Sequence, residues 1–310
     1  MKLRKISGIL LAVAVAVGAV SIPAFASSSV TDDWDGTADT SWYTTASEDA
    51  TEYYLDSAED LAGLASLVNS GTSFAGKTVK LMVNVELNDV TAEGVTEGQQ
   101  EWTPIGGALA GKSFNGIFDG NNNTIYNIYY SHSDGDYSKG NSVKNNIGLF
   151  GNIDQGATVK NVTLDGGYIG AQRSVGAIVG KNWGNIYNCR NVDVEVYSTD
   201  SKGLGGIAGA SWSKVMGGTV LPEIKNCTNS GYIHSSYSKA SVGGIAGENE
   251  GVVDSCNNYG TINSSYNTGG IAGYNAKTGS INNSGNTGKL SGTSCGNIIG
   301  YDEATGGSVN

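Results

Sequence analysis

Acid–base and metal chemistry have little to work with in this chain, which carries two histidines, His132 and His234, and four cysteines in 310 residues. A zinc protease needs two His one helical turn apart with a Glu, as in H-E-x-x-H, and neither histidine stands in that setting. No G-x-S-x-G elbow singles out a serine nucleophile. Prolines number three, and charged residues make up 15% of the chain, against about 25% in ordinary domains. Past the N-terminus no apolar run approaches the roughly 20 residues of a membrane span. The net charge is −11, and −14 once the three cations of residues 1–26 are removed. A chain this acidic repels phosphate backbones and anionic lipid, which excludes nucleic acid as an expected partner.

What is present begins with an export signal. Lys2, Arg4 and Lys5 precede an apolar core from Ile9 to Val20, and Ala24-Phe25-Ala26 closes it with a small-x-small cleavage pattern. Residues 1–26 are therefore read as a signal peptide. No cysteine stands at the cleavage site and no LPxTG-like signal ends the chain, so a secreted protein is expected, with no membrane insertion after signal removal and any hold on the cell surface non-covalent.

Glycine is abundant, 47 of 310 residues, about twice the usual share. Disorder does not follow, because 39% of residues are hydrophobic and they are regularly spaced. The segments NIGLFG, VGAIVG, LGGIAG, VGGIAG, TGGIAG and CGNIIG end at Gly151, Gly180, Gly209, Gly247, Gly273 and Gly300, at intervals of 29, 29, 38, 26 and 27 residues. Between them recur VKNV, IYNC, IKNC, VDSC and INNS, followed by apolar residues at Ile169, Val196, Ile233, Ile262 and Leu290. Each repeat thus offers about three short strands between Gly/Asn turns. One coil cannot bury its own apolar face, whereas stacked coils bury a continuous core. The fold class is all-β: a right-handed parallel β-helix, or β-solenoid, over residues 76–310. The repeat glycines are expected to supply positive φ at corners and close approach between coils. Asn161, Asn188, Asn226 and Asn283, with Ser255, form one expected ladder, and Asn191, Asn229, Asn258 and Asn286 a second. Residues 27–75 form an N-terminal segment with a short helical cap. Leu61, Leu64, Ala65 and Val68 fall at helical spacing, Ser57 and Asp60 near a capping box, and Gly71 is the stop.

With these residues on the page, the chain resembles the GLUG-motif family, repeats built on Gly-Leu-x-Gly; Gly148-Leu149-Phe150-Gly151 matches most closely, and later copies put Ile for Leu. The resemblance spans residues 50–304, including SAEDLAGLASLVN, WTPIGG and FNGIFDGNNNTI, segments like those in adhesin-like proteins and IgA-specific metalloproteases. It implies a β-solenoid at or outside the bacterial cell surface, often in adhesion, and no single ligand.

Three functions compete: a non-catalytic binding or adhesion module for a glycan or a host or matrix protein, a polysaccharide-active enzyme, and a structural surface-layer component. The enzymatic reading rests on Asp119, Asp165 and Asp193, but acidic residues do not recur in sequence as paired carboxylates on adjacent coils. The acidic run DDWDGTAD, with Asp32, Asp33, Asp35 and Asp39, lacks the EF-hand pattern and reads as a solvated segment. No cofactor or metal is called for, and the chain reads as a non-enzyme. A binding face is expected where the repeat is least regular: Ala210 to Glu223 replaces a link of five residues and carries Trp212 and Met216. Tyr237 and Tyr266, each four residues past the apolar Ile233 and Ile262, are expected to form an aromatic platform beside it.

Cys189, Cys227 and Cys256 share one strand position in three successive coils, flanked by Val162 and Ser284, while Cys295 falls in the segment of Val242 and Thr268. In-register parallel strands lie about 4.8 Å apart, outside the roughly 3.5–4.5 Å Cβ separation of a disulfide. A column of free, buried thiols is predicted. Thiol titration of the denatured, unreduced protein is expected to find all four cysteines reactive; two bridges would overturn the column.

Overall fold

A computed structural model of the chain describes residues 34–89, 99–107, 112–132, 145–200, 202–215 and 219–309; the signal peptide and Met216 lie outside them. Four sheets run along one axis, with 8, 11, 6 and 7 strands, and every pairing is parallel except the last. The coil that begins at Asn185 shows the order. It visits the first sheet at Asn185–Tyr187, the second twice at Arg190–Asn191 and Glu195–Ser198, the third at Leu204–Gly205 and the fourth at Ala208–Ser211. This coil and the three after it hold five short strands each rather than about three, because two breaks fall inside stretches that read as single strands; in the two coils before it one longer strand, Thr124–Ser131 or Thr163–Ala171, takes both second-sheet places.

The first break lies at the corner between the first and second sheets, where Asn161, Asn188, Asn226, Ser255 and Asn283 adopt φ between 49 and 56°. Asparagine takes this left-handed region because its short side chain bonds locally. The second break is the Gly-Ile turn inside LGGIAG, where the third sheet folds back against the fourth. Here the repeat glycines depart from expectation: none of the six has positive φ. They are required by close approach alone. A Cβ on Gly247 would lie 2.1 Å from the backbone N of Leu204, and one on Gly273 would lie 2.2 Å from that of Val242.

Inward residues stack on their own kind. Val159, Ile186, Ile224, Val253 and Ile281 pair in register along the first sheet, and the first four are fully buried. Burying a side chain of this size stabilises by roughly 1.5–3 kcal/mol. Polar columns seal the corners. The Asn229 amide donates to Asn258 at 2.7 Å and Asn258 to Asn286 at 2.8 Å. A further column joins Asn182 to Ser211 at 3.0 Å, Asn249 to Asn275 at 2.8 Å and Asn275 to Asp302 at 3.2 Å. Cys189, Cys227 and Cys256 are buried and free, and the last two sulfurs each accept the N–H of the cysteine one coil before: Cys189 N–H to Cys227 Sγ and Cys227 N–H to Cys256 Sγ are both 3.4 Å.

The first sheet begins at Glu52–Leu55, inside the segment 27–75, and the helix Ala58–Ser70 follows it before Thr78–Leu81 pairs alongside. The helix thus stands in the first coil where the other sheets would run. Ser57 Oγ accepts from the Asp60 N–H at 3.1 Å, and Gly71 closes the helix at φ 105°. The reciprocal half of the capping box is displaced by one residue, because the Asp60 carboxylate accepts from Asp56 N–H at 2.9 Å. Leu61, Leu64, Ala65 and Val68 are buried against the end of the core. Asn69 ties the helix to the next coil, donating to Pro104 O at 3.0 Å and accepting from Gly107 N–H at 2.9 Å. At the far end Gly307–Val309 turns back antiparallel on Ile299–Asp302.

Gly247→Ala is expected to lower stability by about 3 kcal/mol, since backbone rather than a flexible side chain meets the new methyl. Gly307→Ala, with nothing within 4 Å of its Cβ, should change it by less than about 0.5 kcal/mol. Urea denaturation of the two variants checks the contrast; equal effects would remove the close-approach explanation.

Candidate functional site

Strand alternation turns one residue outward between each repeat glycine and the buried polar column. Along the fourth sheet these residues are Asn152, Lys181, Ala210, Glu248, Tyr274 and Tyr301, paired in register. Asn152 is covered, its amide donating to Gly106 O at 2.8 Å. Ala210 is buried, and Lys181, Glu248, Tyr274 and Tyr301 form a partly exposed row that carries charge and aromatic surface.

Two tryptophans flank it. Trp183 sits at the corner where the fourth sheet passes to the first, and Trp212 opens the long insertion, its backbone N–H held by Asn182 O at 3.0 Å. The Lys181 ammonium lies 4.9 Å from the Trp183 ring and 4.8 Å from the Trp212 ring, so one cation is shared by two aromatic faces. Lys214 reaches the Trp183 ring at 5.9 Å and pairs with Asp154. Across Ala210 from Lys181 stands Glu248, which accepts from the Trp212 side chain. Burial pushes the Glu248 carboxyl up to about 7, against the nearby Lys202 and with the Glu250 charge adding to the rise. Burial likewise lowers the pKa of Lys181, with Glu248 and Glu250 opposing. Farther along the row Tyr274 and Tyr301 stack at 5.9 Å and 9°. Burial, followed by the bond to Glu303 at 3.0 Å, raises the Tyr274 hydroxyl to about 12.

Of the residues expected from sequence, Trp212 is at the centre of this face, folded back on the solenoid. The insertion's exposed apolar side chains are instead Val215 and Val220, 63% and 55% accessible. Tyr237 and Tyr266 lie elsewhere, past the second-sheet strands. Tyr237 packs against the core while Tyr266 remains 44% exposed, so the two rings do not present one flat surface. Lys181, Trp183, Glu248, Tyr274 and Tyr301 were not singled out by sequence, although the signal is there: each row residue is the x of G-x-[NSD] in Gly180-Lys181-Asn182, Gly209-Ala210-Ser211, Gly247-Glu248-Asn249, Gly273-Tyr274-Asn275 and Gly300-Tyr301-Asp302.

The enzymatic candidates separate. Burial works against the charge of Asp119, yet Asn161, the Asn121 N–H and Lys160 together hold its carboxyl below the usual range, as befits a turn residue. Asp165 is raised by burial and then by the charge of Asp193. The two residues fall on adjacent coils, within electrostatic reach of one another. His234 is stacked at 4.5 Å from both Tyr197 and Tyr232, with Nε2 2.8 Å from Glu195. Asp35 and Asp39 accept local N–H groups from Thr37 and Ser41, and among the described residues no group of three or more His, Cys, Asp or Glu is placed to hold a metal ion.

No family model matches the chain. Halomucin of Haloquadratum walsbyi is 29% identical over 178 residues, 57% of this chain and 2% of that protein. A "Putative Gly-rich membrane protein" of Evansella cellulosilytica is 32% identical over 147 residues, 46% of this chain and 14% of that protein. The chain thus spans a small part of the length of these relatives. The solved structure of a "putative immunoglobulin A1 protease" from Bacteroides ovatus superposes with a TM-score of 0.57 at 21% identity, over 83% of this chain and 73% of that one. At that identity the likeness shows the fold, a parallel β-helix.

The raised carboxyl of Glu248 ties the face to pH. With a folded-state value of about 7 against an ordinary 4.5, its contribution to stability is complete below about pH 4.5 and is lost as pH rises toward 7. Glu248→Gln should gain on the order of 2 kcal/mol over the unsubstituted chain near pH 8 and little near pH 4. Urea denaturation at both pH values tests this, and an equal shift at the two would show that the carboxyl does not titrate in that window.

Proposed function

We propose that the chain is a secreted or cell-surface β-helix that binds a glycan or a host or matrix protein, without catalysis, through the outward face of its fourth sheet. The observation that carries this reading is the row itself: Trp183, Trp212, Tyr274 and Tyr301 are partly exposed on one side, with Lys181 and Glu248 set among them. Aromatic rings supply large contact area at low entropic cost, and fixed charges among them give orientation. A surface or secreted setting is supported by the leader sequence, by the resemblance to GLUG-motif proteins and by the printed names of the two partial relatives. No helix among the described residues is long and apolar enough to cross a membrane.

A second reading has one observation in its favour. The Asp165 and Asp193 carboxylates interact across adjacent coils, and paired carboxylates on a groove are the machinery of polysaccharide cleavage. Release of reducing ends from a polysaccharide panel, abolished by Asp165→Asn, would establish that reading in place of the first.

The test of the leading proposal is a glycan and matrix-protein array probed with the mature chain. Trp212→Ala and the double variant Tyr274→Ala/Tyr301→Ala are each expected to weaken the captured ligand by about tenfold or more, roughly 1.4 kcal/mol, with circular dichroism unchanged. Unaltered affinity in both would move the site off this face.

A further inference from the structure

A groove runs along the corner between the first and second sheets, at the opposite end of the first-sheet strands from Trp183. It encloses about 490 Å³ and is lined by Asn122, Asn161, Thr163, Asn188, Arg190 and Asn226. That volume lies within the roughly 300–1,000 Å³ of small-molecule sites. The left-handed corner residues build it: Asn122, Asn161, Asn188 and Asn226 all have φ between 54 and 64°, and the bend sets the side chains before and after it on two walls.

Only part of this polar lining is used internally. Asn188 Nδ2 donates to Asn161 Oδ1 at 3.0 Å, and Asn161 Nδ2 donates to Asp119 Oδ1 at 2.9 Å. That chain leaves Asn188 Oδ1 without a partner among the described residues, together with the side chains of Asn122, Thr163, Asn226 and Arg190. The flanking lysines are neutralised in place, Lys160 by Asp119 at 3.1 Å and Lys225 by Asp254 at 3.2 Å. Arg190 has no such counterion, in a chain of net charge −11.

We propose that this groove is a second binding site, separate from the tryptophan face, for an oligosaccharide carrying carboxylates and lying along the solenoid axis. The amides and the Thr163 hydroxyl bond sugar hydroxyls at steps of about 4.8 Å, the coil spacing. The Arg190 guanidinium takes a carboxylate in a forked pair, geometry that an ammonium does not reproduce.

Titration calorimetry with oligogalacturonate, hyaluronan fragments and a sialylated oligosaccharide, each beside its methyl-esterified or desialylated counterpart, tests the assignment. At least one acidic ligand is expected to bind and its uncharged counterpart to bind more weakly. Arg190→Ala should cost about tenfold or more in affinity, Arg190→Lys less. Asn226→Gly, which keeps the left-handed corner, should weaken binding severalfold, whereas Trp212→Ala should leave it unchanged. Circular dichroism and melting temperature verify that the variants fold. No binding by any acidic ligand, equal binding of charged and uncharged forms, or unchanged affinity in Arg190→Ala would each overturn the proposal. Loss with Trp212→Ala but not Arg190→Ala would assign the ligand to the tryptophan face instead.

Discussion

The third and fourth sheets lie close together, with glycine where their backbones meet. Where LGGIAG and its relatives turn, the backbone of Leu204 runs so near Gly247 that a methyl would stand 2.1 Å from its nitrogen, and the relation repeats one coil later between Val242 and Gly273. Interiors are packed too closely for such an overlap to be absorbed. Everything else in the coil follows from that contact. It fixes the height at which each coil sits on the last, and hence the register of Ile186 on Ile224 and of Asn249 on Asn275. It also crowds much of the third sheet's outer face, where Arg173 remains exposed and pairs with Asp200 at 3.2 Å.

Polar groups complete what the glycines begin. A parallel solenoid must satisfy backbone groups at every corner, and buried amides do so while bonding from coil to coil. Asn249 shows both roles, accepting from the Gly251 N–H at 3.1 Å within its coil and donating to Asn275 at 2.8 Å in the next. The thiols of Cys189, Cys227 and Cys256 take the equivalent place at an apolar corner, and burial raises the pKa of Cys227 well above the ordinary range. They are packing groups with weak acceptor sulfurs rather than reactive ones.

With inward positions fixed by packing and corner positions by hydrogen bonding, chemistry is left to the outward residues. The fourth sheet presents Lys181, Glu248, Tyr274 and Tyr301 in a single row because every coil offers one such position at the same height. The insertion at Ala210 to Glu223 disturbs no register, since Ser211 still pairs with Asn182 and Glu223 with Asn185. It adds Trp212 over a scaffold that does not change. At the other end of the first sheet the asparagine corners leave a polar groove with Arg190 on its wall. Two surfaces of different chemistry thus arise from one repeat.

The repeat of Gly, Ile and Asn was enough to determine a parallel β-helix, the capping helix from Ser57 to Gly71, and the free thiol column, because each depends on local periodicity and on in-register stacking. The glycines are expected from sequence to give both close approach between coils, which the structure shows, and positive φ, which the corner asparagines adopt instead. Sequence spacing placed Tyr237 and Tyr266 together by height alone, whereas burial separates them. The company that Trp212 keeps could only be decided by the tertiary structure: Lys181 and Glu248 lie 31 and 36 residues away in sequence, and they meet it because stacking converts a repeat interval into a neighbouring strand. Periodicity fixes which residues share a column; the shape of the corners fixes which columns share a surface.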